Sequence, residues 1–316
     1  MLTLTATQWA GEGVTGANPV VLSDPVALIM RKNEGMPCDE LTAVFCCEKP
    51  LGELCEVTLC NGGTTLFTGI VDRQRQRIGA AGQTVALECR SIGALLLDNE
   101  AIPRTHYYAR LSDIVHSHAA EYGIKGVRGD DPFLSRYAVT KGFSVWRAVS
   151  LFCRRALGRS PRVMADGYLD TRAPVGGRVE VSNRLDSGQR YVQVVSDTDR
   201  CEVLSCVKAQ TSGSYYGAAV ANADARGVRR TRLIVPAAEW ANLPRQSAQE
   251  LVRQSMHRKR RVAVTLPGLV PWDIGDLATL CDEPFAGLTL TVGELEYRVN
   301  EGGLVTTAVL YDGTYR

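Results

Sequence analysis

Two β-rich segments joined by an Asn-Gly step constrain the fold more than any other feature of the sequence. The first segment covers residues 54–60, the turn is Asn61-Gly62-Gly63, and residues 64–71 are again rich in Thr, Leu, Phe and Ile. Asn and Gly tolerate the positive φ angles of a tight turn, so this arrangement is one of the strongest local signals of a β-hairpin. The first hundred residues are therefore predicted to consist of antiparallel strands.

A second hairpin signal follows directly. Residues 71–78 lead to Gly79-Ala80-Ala81-Gly82, and residues 84–89 return with a strand-like composition. Because Gly stands at each turn, the two hairpins together predict a meander of about four strands.

The period of the apolar residues changes to that of a helix between residues 105 and 170. One helix is predicted to begin at Ser112 as its N-cap and to stop at Gly123, and a second to run from the cap Ser144 to Gly158. An apparent strand follows each helix. The segment is predicted to be a small α+β module with a weak internal duplication.

Strand patterns return after residue 175. Two segments interrupt them: residues 210–228, rich in Gly, Ser and Ala, are predicted to be a mobile loop, and Ser247-Ala248-Gln249-Glu250 has the form of a capping box that begins a helix. The predicted strands are residues 178–181, 191–196, 201–209, 262–266, 277–280, 288–296 and 304–311.

These patterns predict an α+β fold, mainly antiparallel β, with two small β-barrel domains around the α+β middle module. The expected domains are residues 1–104, 105–170 and 171–316, and the outer two, which are expected to exchange segments, are each long enough for a barrel of strands of ~5–6 residues. The charge follows a similar division: residues 1–100 carry 7 basic and 12 acidic residues, whereas residues 101–175 carry 12 basic and 6 acidic residues.

Composition excludes several classes of function. The 36 basic and 34 acidic residues give a net charge of +2, which does not fit a polybasic nucleic-acid binder. No apolar run approaches the ~20 residues of a membrane-spanning helix, and the N-terminus lacks the pattern of a signal peptide. The ten Cys contain no Cys-x-x-Cys pair, so free structural thiols are expected.

No constellation of residues predicts catalysis or a cofactor. His116 and His118 point away from each other on a helix and cannot share a metal ion there. Acidic pairs such as Asp130-Asp131 are typical of solvated turns, and nucleotide-binding glycine motifs and a nucleophile elbow are missing. The chain is therefore predicted not to be an enzyme, with no catalytic residue, cofactor or metal.

Two basic features remain as candidate sites. Arg73, Arg75 and Arg77 alternate with Gln, so on a strand they share one face, which is either a solvated outer surface or a polar interface or channel lining. The run Arg258-Lys259-Arg260-Arg261 either complements the negative end of the preceding helix or contacts phosphate.

Several motifs, taken in order, resemble one known family. They include a Phe-x-Gly-x-[Ile/Val] strand, a helix ending in Tyr-Gly-[Ile/Val], a unit of strand, Gly, short helix and Leu-Gly, and an Asp-Gly-x-Leu hairpin. The matching stretches are residues 66–72, 84–97, 111–124, 139–158, 165–169, 271–277 and 302–310. Over roughly residues 40–170 and 229–316 the chain is similar to the central baseplate hub of contractile phage tails, including the late control D proteins.

This resemblance implies a structural protein of a virion or phage-like particle, assembled in the host cytoplasm. Such a hub is a homotrimer with two tail-tube-like barrels per chain. It adapts the hexameric tail tube to the trimeric spike, contacts the tube protein, the spike protein and other baseplate proteins, and lets DNA pass through its bore. The alternatives are a tail-associated peptidoglycan hydrolase, which needs a catalytic pair, and a glycan-binding module, for which Tyr107-Tyr108 and Tyr215-Tyr216 are the exposed aromatic candidates.

Overall fold

The computed structural model describes residues 1–9, 19–80, 82–172, 177–237, 240 and 243–313. The chain forms two compact units, and each is built from more than one segment of the sequence. The first unit comprises Met1–Val175, Pro267–Ile274 and Glu294–Thr307, and the second comprises Gly176–Leu266, Gly275–Gly293 and Ala308–Arg316.

An antiparallel sheet is the main element of the first unit. Its strands follow in the order β3-β4-β7-β6-β5-β1-β2, and the C-terminal part of β20 (Leu288–Asn300) pairs with β3. The other strands are β1 (Leu2–Gln8), β2 (Val20–Ser23), β3 (Ala27–Asn33), β4 (Glu40–Cys47), β5 (Leu54–Asn61), β6 (Thr64–Gly79) and β7 (Gly82–Ser91).

Alternation of apolar and polar residues decides which face of this sheet is buried. In β4, Leu41, Ala43 and Phe45 are buried, while Thr42 between them and Cys46 after them are exposed. A strand places successive side chains on opposite faces, so one face of the sheet forms the core and the other is left outside.

Both predicted hairpins are confirmed, but the predicted number of strands is wrong. Strands β5 and β6 pair across Gly62 and Gly63, whose φ angles are 54° and 89°, and β6 and β7 pair up to Gly79 and Gly82. The second strand of one hairpin is also the first strand of the next, because β6 runs unbroken for 16 residues with only a register shift between Val71 and Arg73. The meander therefore has three strands, and a β-bulge stands at the predicted division of residues 64–78 into two strands.

The middle of the chain is an α+β module within the first unit. Strands β8 and β10 form one small antiparallel sheet, and β11, β12 and β9 form another. Its elements are α1 (Ala94–Asp98), β8 (Arg104–Arg110), α2 (Leu111–His118), a 3-10 turn (Ala120–Tyr122), β9 (Gly126–Arg128), β10 (Phe133–Val139), α3 (Val145–Leu157), β11 (Arg162–Val163) and β12 (Tyr168–Asp170).

Helix α3 is capped as predicted, whereas α2 is not. Ser144 Oγ accepts a hydrogen bond from Arg147 N at 3.1 Å, and Gly158 ends α3 with φ 72°. Helix α2 begins at Leu111, so Ser112 lies inside it and bonds to Asp131 instead. The predicted stop at Gly123 (φ 88°) holds for the 3-10 turn that follows α2.

The second unit contains a mixed set of strands and one long helix. Strand β14 pairs with β18, β13 pairs in parallel with β19, and β19 pairs with the N-terminal part of β20. Strands β16, β15 and β17 form a separate small sheet. The elements are β13 (Arg178–Val181), β14 (Gln193–Thr198), β15 (Cys206–Ala209), β16 (Ala218–Ala221), β17 (Thr231–Ile234), α4 (Pro244–His257), β18 (Arg260–Pro267), β19 (Leu277–Leu280) and the C-terminal part of β21 (Gly303–Tyr311).

Two predictions for this unit are wrong. The expected loop at 210–228 contains β16, whose four residues pair antiparallel with β15 and alternate between half-buried and exposed. Helix α4 begins at Pro244 rather than at the capping box, since Pro fits the first turn of a helix and Ser247 therefore lies inside it.

The predicted fold class is confirmed: the chain is α+β with mainly antiparallel strands. The described residues contain three parallel pairings, β9 with β12, β13 with β19 and β15 with β17. The predicted domain boundaries stay a prediction. Within the described part of the chain, no helix has the length and apolarity needed to cross a membrane.

Candidate interaction face on the long strand

Arg73, Arg75 and Arg77 lie in the C-terminal half of β6, on the face of the sheet opposite the core. All three are exposed. Their partners across β7 are Glu88, Ala86 and Thr84, so small and polar side chains flank the arginines. The structure thus places the three predicted residues in one row on an open face of the sheet.

The intervening glutamines have a different role. Gln76 accepts from Leu51 N at 2.8 Å and donates to Leu51 O at 2.7 Å, while Gln74 accepts from Leu54 N at 2.9 Å and donates to Gly52 O at 3.0 Å. Their side-chain amide groups hold the backbone of residues 51–54 against this half of β6, and each glutamine uses both its donor and its acceptor. On this half of β6 the glutamines therefore anchor the 51–54 segment on one face, and the arginines lie on the opposite, exposed face.

The arginine row has little internal charge compensation. Arg73 Nη1 lies 3.6 Å from Glu88 Oε1, and both side chains are 57% exposed. In the described residues Arg75 and Arg77 have no ion pair. Arg90 shows the contrast, because Asp72 and Asp98 hold its guanidinium at 2.7 and 2.8 Å and raise its pKa.

The other predicted polar features have structural contacts. Asp131 accepts hydrogen bonds from Ser112, and Asp130 Oδ2 lies 2.5 Å from Arg159 Nη2, so this acidic pair holds loops in place. The basic run after α4 is divided, since Arg258 caps the helix and Arg260 already belongs to β18. Only the start of the run therefore lies at the C-terminal end of α4, where its positive charge complements the negative end of the helix.

Two histidines that sequence analysis did not connect meet in the middle module. His106 of β8 and His118 of α2 place their Nε2 atoms 3.0 Å apart, with the ring planes at 73°. Only one proton fits between the two nitrogens. Within the described residues the buried Nδ1 of His118 has no hydrogen-bond partner. A buried N–H without a partner is rarer than an unpaired acceptor, so we assign the shared proton to His118 Nε2.

A second cluster of charged groups lies in a small pocket of the first unit. Asp273 accepts from Arg162 at 2.9 Å and from Lys32 at 3.4 Å. Burial tends to raise the pKa of Asp273, but these two cations outweigh burial and lower it. Asp39 lines the same pocket, and burial raises the pKa of its carboxyl, with Lys32 acting in the opposite direction.

Neither cluster has the ligands of a metal site. In the described ranges no group of three or more His, Cys, Asp or Glu is placed to hold an ion. Sequence analysis missed both clusters because their members lie far apart in the chain or on different elements.

Comparison with known proteins identifies the fold. No protein-family model and no curated protein matches the sequence. The tail protein from Neisseria meningitidis MC58 matches with a TM-score of 0.78 at 16% identity, over 99% of this chain and 96% of that one. The 43 kDa tail protein of prophage MuSo2 from Shewanella oneidensis gives a TM-score of 0.79 at 15% identity, over 100% and 99% of the two chains.

A third similar structure comes from a secretion system. An E. coli component of the type VI secretion system, which resembles the phage T4 tail proteins gp27 and gp5, matches with a TM-score of 0.57 at 8% identity, over 99% of this chain and 78% of that one. From end to end, this chain has the fold of phage and prophage tail proteins.

Proposed function

We propose that this protein is the structural hub of a contractile tail baseplate, adapting the hexameric tail tube to the trimeric spike. The observation that carries the proposal is the fold match to two tail proteins over nearly the full length of both chains. The similarity to a type VI secretion component related to gp27 and gp5 supports a position near the spike.

The proposed working form is a homotrimer with two barrel-like units per chain. Three chains then present six similar units around one axis, which is the simplest way to match a three-fold spike to a six-fold tube. The division of the chain into two strand-rich units supports this stoichiometry. The tube protein, the spike protein and other baseplate proteins are the proposed partners, and DNA passes through the bore.

The proposed role is assembly rather than catalysis. A hydrolase needs a catalytic pair, and one acidic pair in the sequence, Asp130-Asp131, is engaged by Ser112 and Arg159 within the middle module. The arginine row on β6 is proposed to face a partner or the bore, because two of its guanidinium groups have no acidic partner in the described residues.

Cryo-electron microscopy of the particle tests the proposal. We expect three copies of the chain between tube and spike, each with two barrel-like units. Six copies per ring, or one barrel per chain, contradict the model. A peptidoglycan-release assay on the purified chain tests the enzyme alternative: soluble fragments whose release a single carboxylate substitution abolishes indicate a hydrolase, and retention on glycan without release indicates a binding module.

A further inference from the structure

An exposed aromatic surface lies on the small β8–β10 sheet. In the described part of the chain, five Phe, Tyr or Trp side chains are strongly exposed, and three of them are on this sheet: Tyr107 (65%), Tyr108 (76%) and Phe133 (50%). The rings of Tyr108 and Phe133 stack with their centroids 6.2 Å apart. Tyr is enriched among the residues that dominate binding energy in protein interfaces.

Backbone strain puts the two tyrosines at the surface together. Tyr108 has φ 52°, a conformation that is unfavourable for a bulky side chain. In a regular strand neighbouring side chains point to opposite faces, yet here Tyr107 and Tyr108 are both exposed while Ala109 is buried. Strain of this kind costs of order 1–3 kcal/mol and is concentrated at functional sites.

Two arginines without an ion pair in the described residues lie on the same small sheet as these rings. Arg136 is the cross-strand partner of Tyr107, and Arg104 begins the same strand as the tyrosines. Both arginines are exposed and make no ion pair or hydrogen bond within the described residues. We call Tyr107, Tyr108, Phe133, Arg104 and Arg136 the aromatic–arginine face.

A surface of opposite charge lies at one end of the first sheet. The side chain of Trp9 is 62% exposed, and the backbone N–H of Trp9 donates to Glu53 O at 2.7 Å. Glu48, Glu53 and Glu56 are also exposed and have no ion pair in the part of the chain described; Lys49 is the only cation in residues 48–56. We call Trp9, Glu53 and Glu56 the acidic Trp9 edge.

We propose that the aromatic–arginine face of one copy docks on the acidic Trp9 edge of a second copy. The occupant is a second copy because one chain carries both complements: residues 101–175 have an excess of six basic residues and residues 1–100 an excess of five acidic ones. Since the two surfaces differ, the contact is head-to-tail, and repeated contacts of this kind close a ring when the rotation between successive copies divides a full turn. The inference rests on the proposed multi-copy hub and names the surfaces that join its chains.

Photo-crosslinking in the assembled particle tests the contact directly. A benzophenone amino acid replaces Tyr107 in the full chain, and the crosslinked peptides are identified by mass spectrometry. We expect crosslinks to residues 1–9 or 48–56 of another copy. Crosslinks to another protein, to glycan or to a different part of the copy overturn the inference, as does finding only one copy of the chain in the particle.

Charge exchange gives a second test. Arg104→Glu with Arg136→Glu, or Glu53→Arg with Glu56→Arg, is expected to weaken association of the chains at least tenfold in sedimentation at low salt with the spike protein present. All four substitutions in one chain restore complementarity and are expected to restore association. No loss in the double variants, or no recovery in the quadruple variant, overturns the proposed pairing.

Relief of the strain separates binding from folding. Tyr108→Asn places a residue that tolerates positive φ at this position. The isolated variant is expected to be at least as stable as the parent in urea, yet to associate at least tenfold more weakly. Tyr215→Asn, at an equally exposed tyrosine of the second unit, is the matched control and should change neither property. If the inter-chain crosslinks form in an assembly other than a tail, the contact stands and the hub function fails.

Discussion

A single proton shared by His106 and His118 joins β8 to α2. Burial lowers the pKa of both imidazoles; His106 further lowers the pKa of His118, and Arg104 lowers the pKa of both. Asp113 and Glu121 oppose these effects without reversing them. The folded module therefore takes up protons less readily than the unfolded chain.

The sign of the pH dependence follows from this difference. Unfolded His has a pKa of about 6.5, so well above that pH the two histidines cost the fold no stability. Below it the unfolded chain binds protons that the folded chain does not, and the free energy of unfolding should fall. Urea titrations at pH 8 and pH 5 measure the loss. The variant His106→Gln with His118→Leu should lose less on acidification, and an equal loss in parent and variant contradicts the assignment.

Asp39 and Asp273 line the same pocket, but their pKa values are shifted in opposite directions. The pKa of Asp39 is raised, so its ionised form costs stability at pH 7 and Asp39→Asn should raise the urea midpoint. This gain should vanish below about pH 4, where the carboxyl is protonated in both states. Asp273→Asn removes the negative charge that pairs with Lys32 and Arg162 and should cost about 1–2 kcal/mol at pH 7. Stabilisation by both substitutions contradicts this account of the pocket.

At the scale of elements, the two helix serines separate a cap from an ordinary helical position. Ser144→Ala removes the acceptor of Arg147 N and should destabilise the protein by about 1 kcal/mol. Ser247→Ala lies inside α4, where Ala is the better helix former, and should change stability by less than about 0.5 kcal/mol. Urea denaturation of both variants measures the difference. If Ser247→Ala costs more stability than Ser144→Ala, Ser247 is the N-cap of α4, as the capping box predicts.

The arginine row tests the function of β6. Replacing Arg73, Arg75 and Arg77 by Gln should leave the isolated fold intact, since exposed charges contribute only ~0–1 kcal/mol each. Particle assembly or infectivity should fall, because the exposed face loses its charge. Replacement of Gln74 and Gln76 by Ala is the converse case and should lower stability by releasing the 51–54 segment. Normal assembly of the arginine variant makes the row an ordinary solvated surface.

Local signals explain which elements could be predicted from the sequence. The hairpin at Asn61 and the ends of α3 depend on residues within one or two turns, so both were predictable. The unbroken course of β6 was not, because a bulge at Asp72 has no distinct sequence signal. The histidine pair depends on two elements, and the contact of Lys32 with Asp273 joins residues 241 positions apart. The arginine row was predictable as a pattern, whereas the strain at Tyr108 required the backbone.

The thiols give a prediction for the whole molecule. All ten cysteines are free in the structure. Burial raises the pKa of Cys38 to about 11 and those of Cys89 and Cys153 to about 12, so these three should resist a thiol reagent at pH 8 in the native protein. Exposed Cys46 should react. Thiol counting should find ten groups after denaturation without reductant, and three or more disulfides contradict the expectation.

The pairing of β3 with β20 has a consequence for synthesis of the chain. Ala27–Asn33 leaves the ribosome early, but its partner residues 294–299 follow only after more than 250 further residues. Until then one edge of β3 is open, and open strand edges promote wrong pairings. At ~5–20 residues per second, the nascent first unit waits on the order of ten seconds or more for its last strand. A ribosome stalled before residue 294 should therefore display a chain that chaperones retain and proteases cut.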